Sequence, residues 1–324
     1  MTEGIKEEIY KCSKCGLCNS VCPIFLATKN EMFSPRGRYI VLNNYLNNGV
    51  KPSKSFFNNL DICLNCNLCK KFCPSDIDYN QITLSLKNFS LLHFLKIQFY
   101  FYSKKIFNLN KRNPKKNISA KKVVYFEGCY NNYIDASDRN ATIYILEYFG
   151  YEVSRVISNC CGYKYLSTGA KNLFIKNQEK IIKQIGKDCE YIICSCDTCY
   201  DNLQKFSDKS FKAKLIRLDE FLKIINVDFQ ENNEISYFRP LIRNNEFPYT
   251  SKFNTFFDKN ACSLMENFFV LKYPKLASKI INNVASKLDK KFFTTCNITK
   301  LGFRKNFNKI VLSLSEFLYE HFSK

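Results

Sequence analysis

Histidine is almost missing: His93 and His321 are the only two in 324 residues, and neither lies near the clustered cysteines described below. A histidine-based acid–base mechanism therefore has little to stand on. No G-x-G-x-x-G motif follows a strand pattern, so no dinucleotide cradle is indicated. Nowhere do eighteen consecutive apolar residues occur, so no transmembrane helix is expected. The opening stretch, Met1-Thr2-Glu3-Gly4-Ile5-Lys6-Glu7-Glu8, has no apolar signal core. The expected location is cytoplasmic, with peripheral attachment to the inner face of the cytoplasmic membrane left open.

Cysteine is what the chain has instead, seventeen in all. A short secreted chain would use them for disulfides. In a long chain, at ligand spacings, they indicate metal sites in a reducing compartment. Cys63-Leu64-Asn65-Cys66-Asn67-Leu68-Cys69-Lys70-Lys71-Phe72-Cys73-Pro74 has an earlier copy, Cys12-Ser13-Lys14-Cys15-Gly16-Leu17-Cys18-Asn19-Ser20-Val21-Cys22-Pro23. Both read C-x-x-C-x-x-C-x-x-x-C-P, the spacing by which bacterial-type ferredoxins hold two 4Fe–4S clusters. Three close thiolates cap three irons of one cubane, and the Cys before Pro points at the other cluster. One cluster is therefore expected on Cys12, Cys15, Cys18 and Cys73, and the other on Cys63, Cys66, Cys69 and Cys22. Paired zinc sites are the competing reading, but zinc gives no reason for two copies of this pattern.

The formal charge is +20. Loading two such clusters lowers it to about +16, since bound cysteines are deprotonated. That balance attracts anionic membranes, acidic proteins or nucleic acid. Lys, Asn, Ile, Phe and Tyr are abundant throughout and no Lys/Arg cluster dominates, so composition accounts for it better than a dedicated surface. Nothing matches a nucleic-acid reading motif, and nucleic acid is not an expected partner.

Residues 1–88 read as a cluster-binding unit. Between the two motifs, Ser34 and Pro35 open a predicted helix as N-cap and first-turn residue, with Ile40, Val41 and Leu46 on its apolar face. That helix favours an all-helical unit over a βαβ one. Phe89, Phe94, Phe99, Tyr100, Phe101, Tyr102 and Phe107 mark an aromatic helix that packs on the next domain or lies on a membrane surface. Asn110-Lys111-Arg112-Asn113-Pro114-Lys115-Lys116-Asn117 reads as a linker. From Lys121 strands alternate with helices: strand 122–126, helix 138–149, strand 152–157, helix 173–185, strand 191–193. That order implies a parallel α/β layer with its cysteines at strand ends, where such layers place their active groups. The second half repeats the plan in worn form. Tyr237-Phe238 echoes Tyr125-Phe126, Cys262 echoes Cys161, and Cys296 echoes Cys196, with steps of 35 and 34 positions between the cysteines of each pair. Leu241, Ala261 and Thr299 stand where ligands would be, so Cys262 and Cys296 read as a relic. An amphipathic helix is expected from Ile310 to Phe322.

Cys129, Cys160, Cys161, Cys196 and Cys199 form a second constellation. Adjacent Cys160 and Cys161 suit two neighbouring irons, and Gly162 lets backbone approach a cluster. Five thiolates exceed a simple cubane's four and point to an irregular iron–sulfur cluster, against a buried thiol group or zinc. Cys189 and Cys194 read as core, with Cys194 also a substitute ligand.

These motifs, with Ser34-Pro35-Arg36-Gly37-Arg38 and Phe269-Val270-Leu271-Lys272-Tyr273-Pro274-Lys275-Leu276-Ala277, resemble the CCG-domain iron–sulfur proteins. That family includes the iron–sulfur subunits of glycolate oxidase and lactate utilisation and subunits of heterodisulfide reductase. The resemblance implies an α+β multidomain fold: a helical two-cluster domain over 1–88, a connecting segment over 89–120, an intact CCG repeat over 121–225 and a degenerate one over 226–324. It also implies electron transfer from an FAD-containing hydroxyacid dehydrogenase subunit to a quinone or another acceptor. No catalytic residue is assigned to the chain. The five cysteines match those of a noncubane 4Fe–4S cluster in the heterodisulfide reductase branch, so disulfide reduction there is the alternative activity.

Overall fold

The computed structural model describes residues 3–86, 95–100, 121–156, 160–185, 189–210, 212–229, 232–239, 247–256, 272–285, 288, 290–306 and 310–323. Most of the aromatic run, the basic linker, Leu241, Ala261 and Cys262 lie outside these residues.

Residues 3–86 hold six helices and no strand: α1 Glu3–Tyr10, α2 Pro23–Thr28, α3 Pro35–Asn48, α4 Lys54–Leu60, α5 Leu68–Lys71 and α6 Tyr79–Leu86. Helix α3 begins as its sequence predicts. The Gly37 N–H donates to Ser34 Oγ at 2.9 Å, and Pro35 occupies the first turn, where its missing N–H costs nothing. Ile5 and Ile9 of α1, Tyr39 and Leu42 of α3, Phe56 and Leu60 of α4, and Tyr79 and Ile82 of α6 close a small core around the cysteine loops. Residues 95–100 form α7, whose Ile97 is buried in the core of the next domain.

The remainder is two parallel sheets of one design. The first contains β1 Lys121–Phe126, β2 Tyr151–Val156, β3 Tyr191–Cys194 and β4 Lys214–Arg217, in the order β2-β1-β3-β4. The second contains β5 Asn232–Phe238, β6 Phe253–Phe256, β7 Lys291–Thr294 and β8 Ile310–Ser313, in the order β6-β5-β7-β8. In the first sheet the connections are α8 Gly128–Tyr133 and α9 Ala136–Tyr148, then α10 Tyr163–Ser167 and α11 Lys171–Gln184, then α12 Asp197–Ser210, with α13 Leu218–Ile224 after β4. The second sheet carries α14 Pro274–Ala285, α15 Asn297–Asn306 and α16 Leu314–Phe322. Strand order reverses between β1 and β3, so the crevice beyond their carboxyl ends is the natural ligand edge.

One sequence expectation needs correction. Ile310–Ser313 is not the start of the last helix but strand β8, paired in parallel with β7 from Lys291↔Ile310 to Thr294↔Ser313. Val311 and Leu312 are buried in the sheet core, and a short apolar run does not by itself separate strand from helix. The helix starts at Leu314 because Ser313 and Glu316 form a capping box, with Glu316 N–H donating to Ser313 Oγ at 3.1 Å.

The two sheets meet across a buried polar seam to which each contributes an equivalent hydroxyl pair. Tyr125 OH and Ser195 Oγ lie 3.0 Å apart, and their counterparts Tyr237 OH and Thr295 Oγ1 3.3 Å apart. Asn297 Nδ2 donates to Asn131 Oδ1 and Asp138 Oδ2, both at 2.8 Å. Fully buried Lys300 donates to Asp135 at 2.7 Å and to Glu316, and Arg304 reaches Asp135 at 2.9 Å. On the other side Arg217 binds Asp197 at 3.0 Å and Glu220 at 2.9 Å. Burial pushes Asp138 up to about 6. Asp135, although burial opposes its charge, is held down to about 2 by Lys300.

This predicts an acid-sensitive contribution from Asp135. A depressed carboxyl gives stability that is present above its unfolded value of 3.8 and lost as pH falls through about 2. Asp135→Asn should cost about 2 kcal/mol in urea unfolding at neutral pH, with the gap to the native chain narrowing below about pH 4. A gap that is absent, or independent of pH, would contradict the assignment.

Candidate metal centres

The two cysteine motifs fold alike. In each loop the second residue after the first Cys and the residue after the second Cys take left-handed backbone: Lys14 (φ 61°) and Gly16 (φ 85°), Asn65 (φ 52°) and Asn67 (φ 55°). Gly and Asn enter that region readily, and the alternation turns backbone amides inward. The Asn65 N–H donates to Cys63 Sγ at 3.4 Å, and the Lys14 N–H does the same for Cys12. A short helical turn follows in both, Leu17–Val21 and α5, carrying Cys18 and Cys69.

These loops line two adjoining cavities. One is lined by Cys12, Cys15, Cys18, Cys69 and Cys73 with Arg36 and Tyr39. The other is lined by Cys22, Cys63, Cys66 and Cys69 with Arg38 and Leu64. Pro35, Cys69 and Tyr79 belong to both walls. Among the described residues no three His, Cys, Asp or Glu side chains converge on a point fit for a single ion. Sulfur donors lining each cavity are the donor set that 4Fe–4S clusters use. Burial pushes the Cys12, Cys22 and Cys69 thiols up and Cys18 up to about 11, whereas the Leu17 N–H draws exposed Cys15 down.

The third group sits at the carboxyl edge of the first sheet. Cys129 begins α8 after β1, Cys196 and Cys199 follow β3, and Cys160 and Cys161 precede α10. All five are buried. The thiols adjoin one another in the order Cys129, Cys160, Cys161, Cys199 and Cys196, and Cys196 adjoins Cys296 of the second sheet. Cys160 and Cys196 each accept from two neighbouring thiols and are held well below the usual thiol range. Their neighbours Cys129, Cys161, Cys199 and Cys296 are pushed well above it, chiefly as the donors in those bonds. The Cys160–Cys161 carbonyls are pinned by Asn177 Nδ2 at 2.7 Å, Gln178 Nε2 at 3.0 Å and Asn202. Among the described residues all sixteen cysteines are unbridged. Cys194 is buried at the end of β3 and Cys189 is half-buried.

Cys296 is the residue that sequence reasoning set aside. Its partner motif looked worn, but its thiol lies against Cys196 and 3.5 Å from Thr198 Oγ1. The nearly equal steps of the two repeats were the only available signal; the packing that brings their ends together is not written in either.

Residues 8–77 match a family model described as a 4Fe-4S dicluster domain, and residues 123–204 match the CCG model, described as a cysteine-rich domain. The chain thus carries a 4Fe-4S dicluster domain and a CCG domain. It is 32% identical over 83 residues to the probable glycolate oxidase iron-sulfur subunit of Bacillus subtilis (strain 168), a stretch covering 25% of this chain and 18% of that one. It is 32% identical over 71 residues to the glycolate oxidase iron-sulfur subunit of Escherichia coli (strain K12), covering 22% and 17%. The chain thus aligns with less than a fifth of the length of either relative. Among the described residues of this CCG-domain protein, no helix is long and apolar enough to cross a membrane.

Two glycines test the sulfur cage. Gly128 has φ +68°, and a Cβ there would stand 2.8 Å from Cys199 Sγ, whereas one at helical Gly4 would meet nothing within 4 Å. Gly128→Ala should lower unfolding stability by at least about 1–2 kcal/mol, and Gly4→Ala should hold or raise it. Equal urea midpoints for the two variants would show that the Gly128 turn is not needed.

Proposed function

We propose that this chain is the electron-transfer subunit of a 2-hydroxyacid dehydrogenase of the glycolate or lactate type. Electrons come from an FAD-containing partner and leave to a quinone or another acceptor. Cys12, Cys15, Cys18 and Cys73 would hold one 4Fe–4S cluster, and Cys63, Cys66, Cys69 and Cys22 the other. The observation that carries the reading is the pair of sulfur-lined cavities sharing one wall, with the second packed against the first CCG repeat. Bound clusters supply one-electron chemistry; the chain supplies spacing, insulation and hydrogen bonds to sulfur. Cys15 and Leu17 leave the first cavity open to a partner. Val21, Ile24, Ile62, Leu64 and Leu68 seal the second within the core that also buries Cys129, Cys160, Cys161, Cys196 and Cys199. Those five would hold a third, noncubane cluster.

The continuous row of buried thiols from Cys129 to Cys296 favours one alternative, disulfide reduction at the first repeat. The readings separate by experiment. Oxygen-free material should hold about eight irons if two cubanes are bound and about twelve if the first repeat is also loaded. The iron-loaded chain should be reduced by a hydroxyacid only when an FAD-linked oxidase is added. Turnover of the hydroxyacid by the chain alone would overturn the subunit assignment. Disulfide reduction that vanishes in Cys160→Ser, with both ferredoxin signals intact, would favour the alternative.

A further inference from the structure

Arg38 occupies an unusual position for a guanidinium. It lies in the second turn of α3, 1% exposed, where Tyr79 OH accepts from its Nη1 at 3.2 Å. Its Nε and Nη2, also buried, have no hydrogen-bond partner. Arg keeps its charge in any protein setting, so this is a permanent buried cation with unmet donors. Those donors belong to a side chain lining the cavity of Cys22, Cys63, Cys66 and Cys69, and not the other one.

The neighbouring cavity has an arginine of its own, and the contrast is informative. Arg36 lines the cavity of Cys12, Cys15, Cys18 and Cys73, but its Nε is paired with Glu31 Oε1 at 2.7 Å and its side chain is 36% exposed. Water and a carboxylate have already answered that charge, which leaves it little effect on the cavity. Among the described residues the Arg38 charge is answered by Tyr79 alone, through its phenol oxygen and the face of its ring 5.7 Å away, with no carboxylate bonded to it. The two cavities therefore differ in electrostatics although their loops are near copies.

Resting on the reading that both cavities hold 4Fe–4S clusters, we propose that Arg38 sets the direction of electron flow through the chain. A four-thiolate cluster is anionic and gains a further negative charge on reduction. A dry cation with two N–H donors stabilises that extra charge more than it stabilises the oxidised form. Reduction is thus easier at the inner site, beside the CCG repeat, than at the outer site, where Cys15 and Leu17 meet solvent. An electron delivered at the outer site moves inward. The inner loops are also tied to the second repeat, where Lys272 binds Asp61 at 2.7 Å and Lys279 Nζ donates to the Ala27 carbonyl at 3.0 Å. Arg38 acts through the cluster's environment and is a positioning residue in this account, not a ligand.

The test is a redox titration followed by electron paramagnetic resonance on the full chain, reconstituted without oxygen. The two ferredoxin-type clusters of the native protein should give two distinct midpoint potentials. Arg38→Gln should lower the higher one and leave the other in place, Arg38→Lys should recover part of the shift, and Arg36→Gln should leave the higher midpoint unmoved. Arg38→Gln with full iron and both midpoints unchanged would overturn the proposal, as would an equal shift of that midpoint in Arg36→Gln. If Arg38→Gln binds about four irons fewer than the native chain, Arg38→Lys decides: a native iron count restores the case for charge, and the same deficit reduces Arg38 to packing. Failure of the native chain to take up iron would instead sink the cluster reading on which the proposal rests.

Discussion

Buried sulfur is stable as a neutral thiol or as a thiolate beside a cation, and the whole N-terminal half is arranged around that choice. Cys18, Cys22 and Cys69 are pushed up by burial and stay protonated until something positive displaces the proton. Their positions do not depend on that event. Left-handed residues at Lys14, Gly16, Asn65 and Asn67 shape the loops from the backbone outward, and Ser34 with Pro35 fixes the start of the helix between them. The scaffold sets its sulfur donors along the walls of two adjoining cavities, the donor chemistry that iron–sulfur clusters use.

The α/β half solves a related problem in another way. Here the sulfurs are not spread around a void but strung along the carboxyl edge of a parallel sheet, with amides of Asn177, Gln178 and Asn202 fixing the backbone between them. The second repeat contributes more than a flank. Its Thr295 hydroxyl donates to Asp197 Oδ2 at 2.5 Å, its Asn297 bonds to Asn131, and its Cys296 meets Cys196. The polar seam and the thiol row thus both run between the two repeats. A repeat that has lost ligand positions still shapes its neighbour's site.

Much of this was legible in the sequence, for identifiable reasons. The strand at 121–126 announces itself as a β-branched and aromatic run, and Ser34-Pro35 as a helix start, because both signals are local. The parallel α/β layer follows from alternation alone. Strand β8 escapes a reading that puts Leu312, Leu314, Phe317 and Leu318 on one apolar helix side, because a short apolar run suits a strand leading into a helix equally well. Strand β4 and α13 went unanticipated, since Lys214–Arg217 is only four residues long. The partnership of Cys296 with Cys196 and the unmet donors of Arg38 depend on how distant segments meet. No spacing rule carries that information.

The central claim is that iron–sulfur cubanes, and not zinc or single irons, fill the paired cavities. Mössbauer spectroscopy of oxygen-free protein loaded with isotopically enriched iron tests it most directly. The account predicts iron in two four-iron clusters, with magnetic interaction between them on reduction because their cavities share a wall. Isolated ferric or ferrous ions in four-sulfur sites, or colourless protein with zinc in its first ninety residues, would contradict it.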